Sequence, residues 1–458
     1  MNFYEKRYEQ KHLNRIVHTT LNPDNPGVVR IHLVPSKFSL FKSRPSIVIL
    51  NGKDIIPLNP AWTILLSIFI DEVNEHKGNE ISDEQIEEIV QITISKLKKI
   101  YKFAKAEKVK ADLWNMINLF TAIANKEQTE IDVGQIFIGD FAKFMKAPHR
   151  IDLMISSMKK DNHWNCNQQC MHCYAANQNY AETQELTTEE WKKVIDICKE
   201  NCIPQITFTG GEPTIRKDLV ELIKYASWFI TRLNTNGVLL TKKLCKKLYE
   251  ASLDSVQVTL YSNDKEIHNK LVGADNFDKT VQGIKNAIES GLNVSINTPL
   301  CSLNKDYVST LKFAKELGIT YASSSGLIVT GNAEKEESKE TQLSKNEITN
   351  SMKEACKYVE EQEMELSFTS PGWIDEETLK ELKLDIPACG ACLSNMAVSP
   401  DGNVMPCQSW LGKDATLGNI LEDKWDKIWN SPKCKKIRKN SSNTSFTCPL
   451  RGGKTNEN

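Results

Sequence analysis

Asn165-Cys166-Asn167-Gln168-Gln169-Cys170-Met171-His172-Cys173-Tyr174 places three cysteines within one short stretch of a 458-residue chain. The CxxxCxxC spacing lets a single loop present three thiolates. An iron–sulfur cube has four irons, so three protein ligands leave one iron open. An open iron binds a small molecule and passes it an electron, whereas a fully ligated cube mostly carries electrons. Structural zinc sites use four ligands, commonly in two paired knuckles, and no fourth Cys or His falls at knuckle spacing here. His172 lies between two of the cysteines, badly placed to share their metal. The stretch therefore points to an enzyme.

A second stretch, Thr209-Gly210-Gly211-Glu212-Pro213, follows Ile206-Thr207-Phe208, which reads as a strand. The apolar spacing of Leu219, Val220, Leu222 and Ile223 after it reads as a helix. Paired glycines at a strand end permit close approach to the backbone, and Glu212 supplies a carboxylate suited to an ammonium group. A Gly-Gly turn alone says little. Placed about forty residues after CxxxCxxC, it says much more.

Together these motifs resemble the radical S-adenosylmethionine (SAM) superfamily, over roughly residues 151–369. The resemblance implies that Cys166, Cys170 and Cys173 hold a 4Fe–4S cluster whose open iron is chelated by SAM. The reduced cluster would cleave SAM to a 5′-deoxyadenosyl radical that takes a hydrogen atom from the substrate, with the protein positioning the cofactors. His172 takes the family's aromatic place before the third cysteine. Gly210, Gly211, Glu212 and Pro213 would meet the SAM amino group. Asn234-Thr235-Asn236-Gly237 resembles the motif after the third strand, so Asn234 and Asn236 would face SAM, as would Asn297 on the fifth strand. There is one departure. Peptide-modifying relatives often read Ser-Leu-Asp-Gly after the fourth strand, and this chain reads Thr259-Leu260-Tyr261-Ser262. Thr259 and Ser262 keep hydroxyls there, but the carboxylate is absent.

Composition sets outer bounds. The length suggests two or three domains, and 40% hydrophobic residues suffice for a large core. A net charge of −1 predicts no global attraction to nucleic acid or acidic membrane. The charged start is unlike a signal peptide, and the longest apolar stretch, residues 61–70, is too short to span a bilayer. A cytoplasmic protein is expected, in which cysteines serve as metal ligands before disulfides.

The N-terminal region reads as βββααα. Its strands are Val28–Val34 and the hairpin 47–56, turning at Asn51-Gly52. Asn59 with Pro60 opens one helix, Ser82 with Gln85 a second, and a third runs over about 91–103. This order resembles the winged-helix-like PqqD-type domain that holds leader peptides. There the third strand, here near Lys53 to Leu58, pairs with the leader. Backbone pairing would give affinity and side-chain pockets selection. An inert scaffold or dimerisation module fits the same pattern. So does a DNA contact through Lys96, Lys98, Lys99, Lys102, Lys105, Lys108 and Lys110, although such runs commonly form solvated helix faces.

The expected fold is α/β: a partial (β/α)6 TIM-like radical SAM barrel between this domain and a small Cys-rich α+β extension. Boundaries fall at 1–105 (peptide recognition), 106–149 (helical connector), 150–370 (barrel) and 371–458 (extension). Barrel strands are expected at 153–158 and near Ile206, Arg232, Val256, Val294 and Leu327. Both motifs then fall at C-terminal strand ends, where barrel enzymes place their active sites. Cys198, Cys245 and Cys356 share helix faces with apolar residues and read as core.

In the extension, Cys389-Gly390-Ala391-Cys392 is followed by Asp401-Gly402 and Cys407. A hairpin at Asp401-Gly402 would return Cys407 to the pair. This resembles the twitch form of the SPASM auxiliary-cluster domain, with Cys389, Cys392, Cys407 and Cys448 as expected ligands of one auxiliary 4Fe–4S cluster. Cys434, in a Lys-rich stretch, is the alternative fourth ligand, and a zinc ribbon is the alternative site. The whole most resembles maturases of Cys-rich, ribosomally made peptides that install thioether links. A precursor peptide with a leader and an external one-electron donor, flavodoxin or ferredoxin, are the implied partners. Two other readings stay open: a small-molecule enzyme similar to the molybdenum-cofactor cyclase, and an iron–sulfur sensor that binds DNA.

Overall fold

The structure is a computed structural model that describes residues 3–21, 29–37, 44–52, 54–76, 82–124, 138–443 and 447–451. Val28, Lys53, Gly452 and Gly453 lie outside the described residues. The chain divides into two units, Met1–Ala147 and Pro148–Asn458.

The first unit opens with helix α1 (Phe3–Leu13) and strand β1 (Val17–Leu21), followed by β2 (Val29–Val34), β3 (Ser46–Leu50) and β4 (Asp54–Leu58). Helices α2 (Pro60–Glu75), α3 (Asp83–Lys98) and α4 (Ala106–Ala124) come next. The antiparallel sheet has the order β1-β2-β3-β4. The hairpin turns at Asn51 (φ 47°) and Gly52 (φ 72°), both left-handed as a type I′ turn requires. Asn59 Oδ1 accepts from Trp62 N at 3.0 Å, and Ser82 with Gln85 forms the expected capping box.

Three expectations change. α1 and β1 precede the βββααα core; they were not legible because the charged sequence of α1 has no apolar stripe. The second and third expected helices merge, since α3 runs unbroken from Asp83 to Lys98. The third helix is instead α4, assigned above to a connector. Val109, Leu113, Met116, Leu119 and Phe120 of α4 join Val48, Leu50, Leu65, Ile94 and others in one hydrophobic core, so α4 is integral to this unit. The lysine run is partly neutralised: Lys96 pairs with Glu72 at 2.5 Å, Lys102 with Glu5 at 2.5 Å and Lys110 with Glu87 at 2.6 Å.

The second unit is built on a nine-stranded sheet of order β13-β12-β11-β10-β9-β8-β5-β14-β15. Its strands are β5 (Arg150–Ser156), β8 (Gln205–Gly210), β9 (Ile230–Thr235), β10 (Ser255–Thr259), β11 (Asn293–Pro299), β12 (Tyr321–Ser325), β13 (Glu365–Phe368), β14 (Asn395–Val398) and β15 (Val404–Met405). The short hairpin β6 (Lys159–Lys160) and β7 (His163–Trp164) carries the chain from β5 into the cysteine loop. Neighbours from β13 through β14 pair in parallel; β15 is antiparallel.

Against the expected six strands, the sixth is β12, ending two residues before Leu327, and β13 adds a seventh. Residues 150–370 and 371–458 also form one unit, because β14 of the extension pairs directly with β5, Asn395 opposite Arg150 and Val398 opposite Leu153.

Alternation along the strands decides what the barrel encloses. Ile206, Phe208, Leu233, Val256, Val258 and Ile296 are almost fully buried. The residues between them, Thr207, Thr209, Arg232, Asn234, Gln257, Thr259 and Asn297, line a cavity together with Tyr321, Ser323 and Ser367. Closed TIM barrels fill their interiors with branched aliphatic layers. Here the inner positions are polar and leave a cavity of roughly 640 Å³.

Candidate functional site

Cys166, Cys170 and Cys173 all reach this cavity, and all thirteen cysteines are free thiols. Burial pushes the Cys166 thiol up to about 12, with the Glu212 carboxylate and Cys173 adding to the rise. Burial also raises Cys170 and Cys173. A thiol disfavoured as a free anion becomes a thiolate when a metal supplies the missing positive charge. Among the described residues, no three His, Cys, Asp or Glu side chains have the geometry to hold a single metal ion. A cubane instead takes each thiolate on a different iron.

The cysteine loop is braced on several sides. Gln169 N and Met171 N donate to Val272 O and Leu271 O at 3.0 and 2.9 Å. Asn332 donates from Nδ2 to Cys170 O and from its backbone N to Cys173 O. Trp164 Nε1 donates to Gln168 O at 2.8 Å. Arg216 Nη1 reaches Ile155 O and Glu185, while Glu185 accepts from Ser157 N and Asn165 Nδ2. Sequence reasoning missed Asn332, Arg216 and Glu185, since each acts across a long sequence separation and carries no motif.

The two glycines prove necessary for a different reason from the one expected. Gly210 has φ +142°, and a Cβ there would lie 2.4 Å from Ser156 O; at Gly211 it would lie 2.9 Å from Ser157 O. The closely approaching group is thus the end of β5, whose Ser156 O also accepts from Gly211 N. Both glycines still border the cavity.

Glu212 is almost fully buried. Its Oε1 accepts from Thr214 N (3.0 Å), Thr214 Oγ1 (2.5 Å) and Thr235 Oγ1 (2.6 Å), and Oε2 accepts from Asn236 N (2.9 Å). Burial raises its pKa, and these donors oppose the rise. The carboxylate therefore ties the end of β8 to the end of β9. Asn236 extends the tie, donating from Nδ2 to Asn167 Oδ1 at 2.6 Å beside Cys166.

The other expected residues divide. Asn234, Asn236, Thr259, Asn297 and His172 line the cavity. Among the described residues, Asn234 Oδ1 and His172 Nδ1 are buried without a hydrogen-bond partner, as suits groups awaiting a polar ligand. His172 Nε2 bonds Thr341 Oγ1 at 2.8 Å. Pro213 and Ser262 are not on the cavity wall among the described residues: Pro213 starts a 3-10 turn, and Ser262 Oγ accepts from Asp264 N.

Cys389, Cys407 and Cys448 line the same cavity. Burial raises the Cys407 thiol to about 12, and the thiols of Cys389 and Cys448 add to the rise. Cys392 sits behind them, fully buried, hydrogen-bonded to Cys434 and close enough to feel Cys407. The objection to Cys434 from its lysine-rich surroundings fails, since its side chain points inward from the helix Pro432–Ser441 and is wholly buried. Five cysteines converge, not four. Tyr174 links the two sets: burial raises its phenol, and the thiols of Cys173 and Cys407 both act on it.

An open parallel barrel with three free thiols after its first strand, sharing a cavity with a second cysteine group, is the arrangement that the radical SAM resemblance leads one to expect. Comparison with known proteins agrees. Residues 165–314 match the radical SAM superfamily, and residues 389–449 match SPASM, an iron–sulfur cluster-binding domain. Residues 165–314 are thus a radical SAM domain, the kind of enzyme domain that uses a 4Fe–4S cluster with SAM, and residues 389–449 an auxiliary iron–sulfur cluster-binding domain.

Among curated proteins, it is 33% identical over 157 residues to a probable GTP 3′,8-cyclase of Thermococcus kodakarensis, covering 33% of this chain and 51% of that one. It is 40% identical over 140 residues to the Fe-coproporphyrin III synthase of Methanosarcina barkeri, covering 29% and 35%. The chain thus spans about half or less of these relatives. Among solved structures, SuiB of Streptococcus suis bound to S-adenosylmethionine aligns with TM-score 0.62 and 18% identity, over 88% of this chain and 91% of that one. SuiB bound to its precursor peptide SuiA aligns with TM-score 0.59 and 16% identity, over 86% and 87%. These likenesses establish the fold. No described helix is long and apolar enough to cross a membrane.

Proposed function

We propose that this protein is a maturase of a ribosomally made, Cys-rich peptide and that it closes thioether links. One observation carries the reading: a single cavity is walled by Cys166, Cys170 and Cys173 and by Cys389, Cys407 and Cys448. Cys166, Cys170 and Cys173 would hold the cluster that binds SAM, and the pair would supply one-electron cleavage and hydrogen-atom abstraction. Closing a thioether removes hydrogen from carbon and a proton from sulfur, and one further electron must leave. An auxiliary cluster on Cys389, Cys392, Cys407 and Cys448 is an acceptor of the right class, and a flavodoxin or ferredoxin would supply the initiating electron.

The chain's own residues provide the positioning. Asn234, Asn297 and Thr259 offer polar contacts from three adjacent strands, His172 offers a ring face, and Glu212 with Asn236 holds the strand ends against the cysteine loop. In the N-terminal unit, among the described residues, β4 has β3 as its one partner in the sheet. Its other edge offers backbone groups for strand addition by a leader, although Pro57 lacks a donor. The fold shared with SuiB, which was crystallised with a precursor peptide, supports the same reading.

Incubating the reduced, reconstituted enzyme with SAM and a short Cys-rich peptide encoded beside its gene tests the proposal. The peptide should lose two hydrogens for each link. Unchanged peptide with SAM fully consumed refutes it. The sequence relatives favour a second reading, a small-molecule enzyme like the cyclases; conversion of GTP by this enzyme would establish it.

A further inference from the structure

The polar interior of the barrel holds charges that the proposed cofactors do not use. Arg150, Arg232 and Arg451 line the cavity, with Glu212 and Asp385 as its carboxylates. Asp152, fully buried beside them, lies 3.0 Å from Arg150 Nε. Glu212 is occupied by four protein donors. Arg451 donates to Gly372 O and stacks over Trp373 at 4.6 Å.

Arg232 is different. It lies on β9, level with Thr207 of β8 and, through it, with Asp152 of β5. Its position alternates with that of Asn234, so both face the cavity. Among the described residues its guanidinium has neither an ion pair nor a hydrogen bond, and the charge nearest in effect is the like charge of Arg150. Arg150, Arg232 and Asp152 together leave one net positive charge at this level of the barrel. An ion removed from water without a partner is destabilised, so an unpaired guanidinium facing a cavity calls for an anion from outside the chain. The guanidinium fork matches a carboxylate by two parallel hydrogen bonds.

Resting on the peptide reading above, we propose that Arg232 is the docking point for a carboxylate of the substrate peptide. Arg232 thereby selects peptides that bring an acidic group to this level of the barrel. The carboxylate comes from an Asp or Glu side chain or from a free C-terminus. SAM is present in every titration, so the probes report a carboxylate other than its own.

The test uses the anaerobically reconstituted full chain with SAM and four probes, titrated calorimetrically. They are acetyl-Gly-Asp-Gly-amide and its Asn counterpart, and acetyl-Gly-Gly-Gly with a free or an amidated C-terminus. At least one acidic probe should bind about tenfold or more tightly than its amide, as for loss of one charge-assisted hydrogen bond. Arg232→Gln should abolish that difference, and Arg232→Lys should restore part of it. Circular dichroism and iron content check that both variants fold. The probe pair that discriminates identifies the source of the carboxylate. Equal affinities within both pairs, a difference that survives in R232Q, no binding of any probe, or binding of GTP alone overturns the inference. Loss of two hydrogens per link from the precursor peptide, turned over by the wild-type enzyme, separates the outcomes: its absence fails the functional reading, while its presence with indifferent probes fails this inference alone.

Discussion

Glu212→Gln separates two roles for the buried carboxylate. In the structure its two oxygens accept four hydrogen bonds, three on Oε1 and one on Oε2. An amide keeps one oxygen. If that oxygen replaces Oε1, the new NH2 faces Asn236 N–H, donor against donor; the opposite flip strands three donors. Losing a hydrogen bond to a charged group costs about 1.5–3 kcal/mol, and an unsatisfied buried donor adds about 1–3. A loss of about 3 kcal/mol is therefore expected before any cofactor binds. Hydrogen exchange of the cofactor-free chain reads it locally. Amides at the ends of β8 and β9, Asn236 above all, should exchange on the order of a hundredfold faster, since about 1.4 kcal/mol is a factor of ten. The cysteine loop should loosen with them, because Asn236 holds Asn167. Unchanged protection in the variant, combined with lost SAM binding, would refute this argument and return Glu212 to a purely ligand-binding role.

Other consequences follow from the same geometry. Replacing Cys166, Cys170 and Cys173 by Ala should abolish 5′-deoxyadenosine formation after anaerobic reconstitution; the nucleoside appearing at the native rate would sink the class assignment. Cys448→Ser should lower iron content by up to one cluster, because Cys448 adjoins Cys389 and Cys407 and walls the same cavity; unchanged iron on elemental analysis would refute it. Burial lowers His149 and His268 from 6.5 to about 4. Their neutral forms stabilise the fold fully above about pH 6.5, and that contribution is lost as the pH falls toward 4. At pH 5 each costs about 2 kcal/mol relative to pH 7, and His268→Gln should flatten that loss in urea titrations. Truncation after residue 103 should expose the α4 face that packs into the N-terminal core, giving more dye-binding apolar surface than truncation at the Ala147/Pro148 boundary.

The local sequence determined a good deal. CxxxCxxC, the Gly-Gly-Glu-Pro turn and the Asn-Gly hairpin carry their geometry within a few residues, because backbone conformation and ligand spacing are set by near neighbours. The capping residues Asn59 and Ser82 likewise marked helix starts where the structure has them. The alternation of polar residues in Thr207-Phe208-Thr209, Arg232-Leu233-Asn234 and Gln257-Val258-Thr259 was equally present, and it could have disclosed a polar interior. Other features belong to the tertiary structure alone. Gly210 is needed because Ser156 passes within clashing distance of any side chain there. Glu212 is saturated because Thr235 and Asn236 arrive from another strand. The extension joins the barrel because β14 finds the open edge of β5. Cys434, ranked behind Cys448 for its charged neighbours, turns its thiol inward to Cys392. Each depends on groups far apart in the chain meeting at van der Waals or hydrogen-bond distance. Such meetings are fixed by how the strands pack side by side, a choice that no short segment makes on its own.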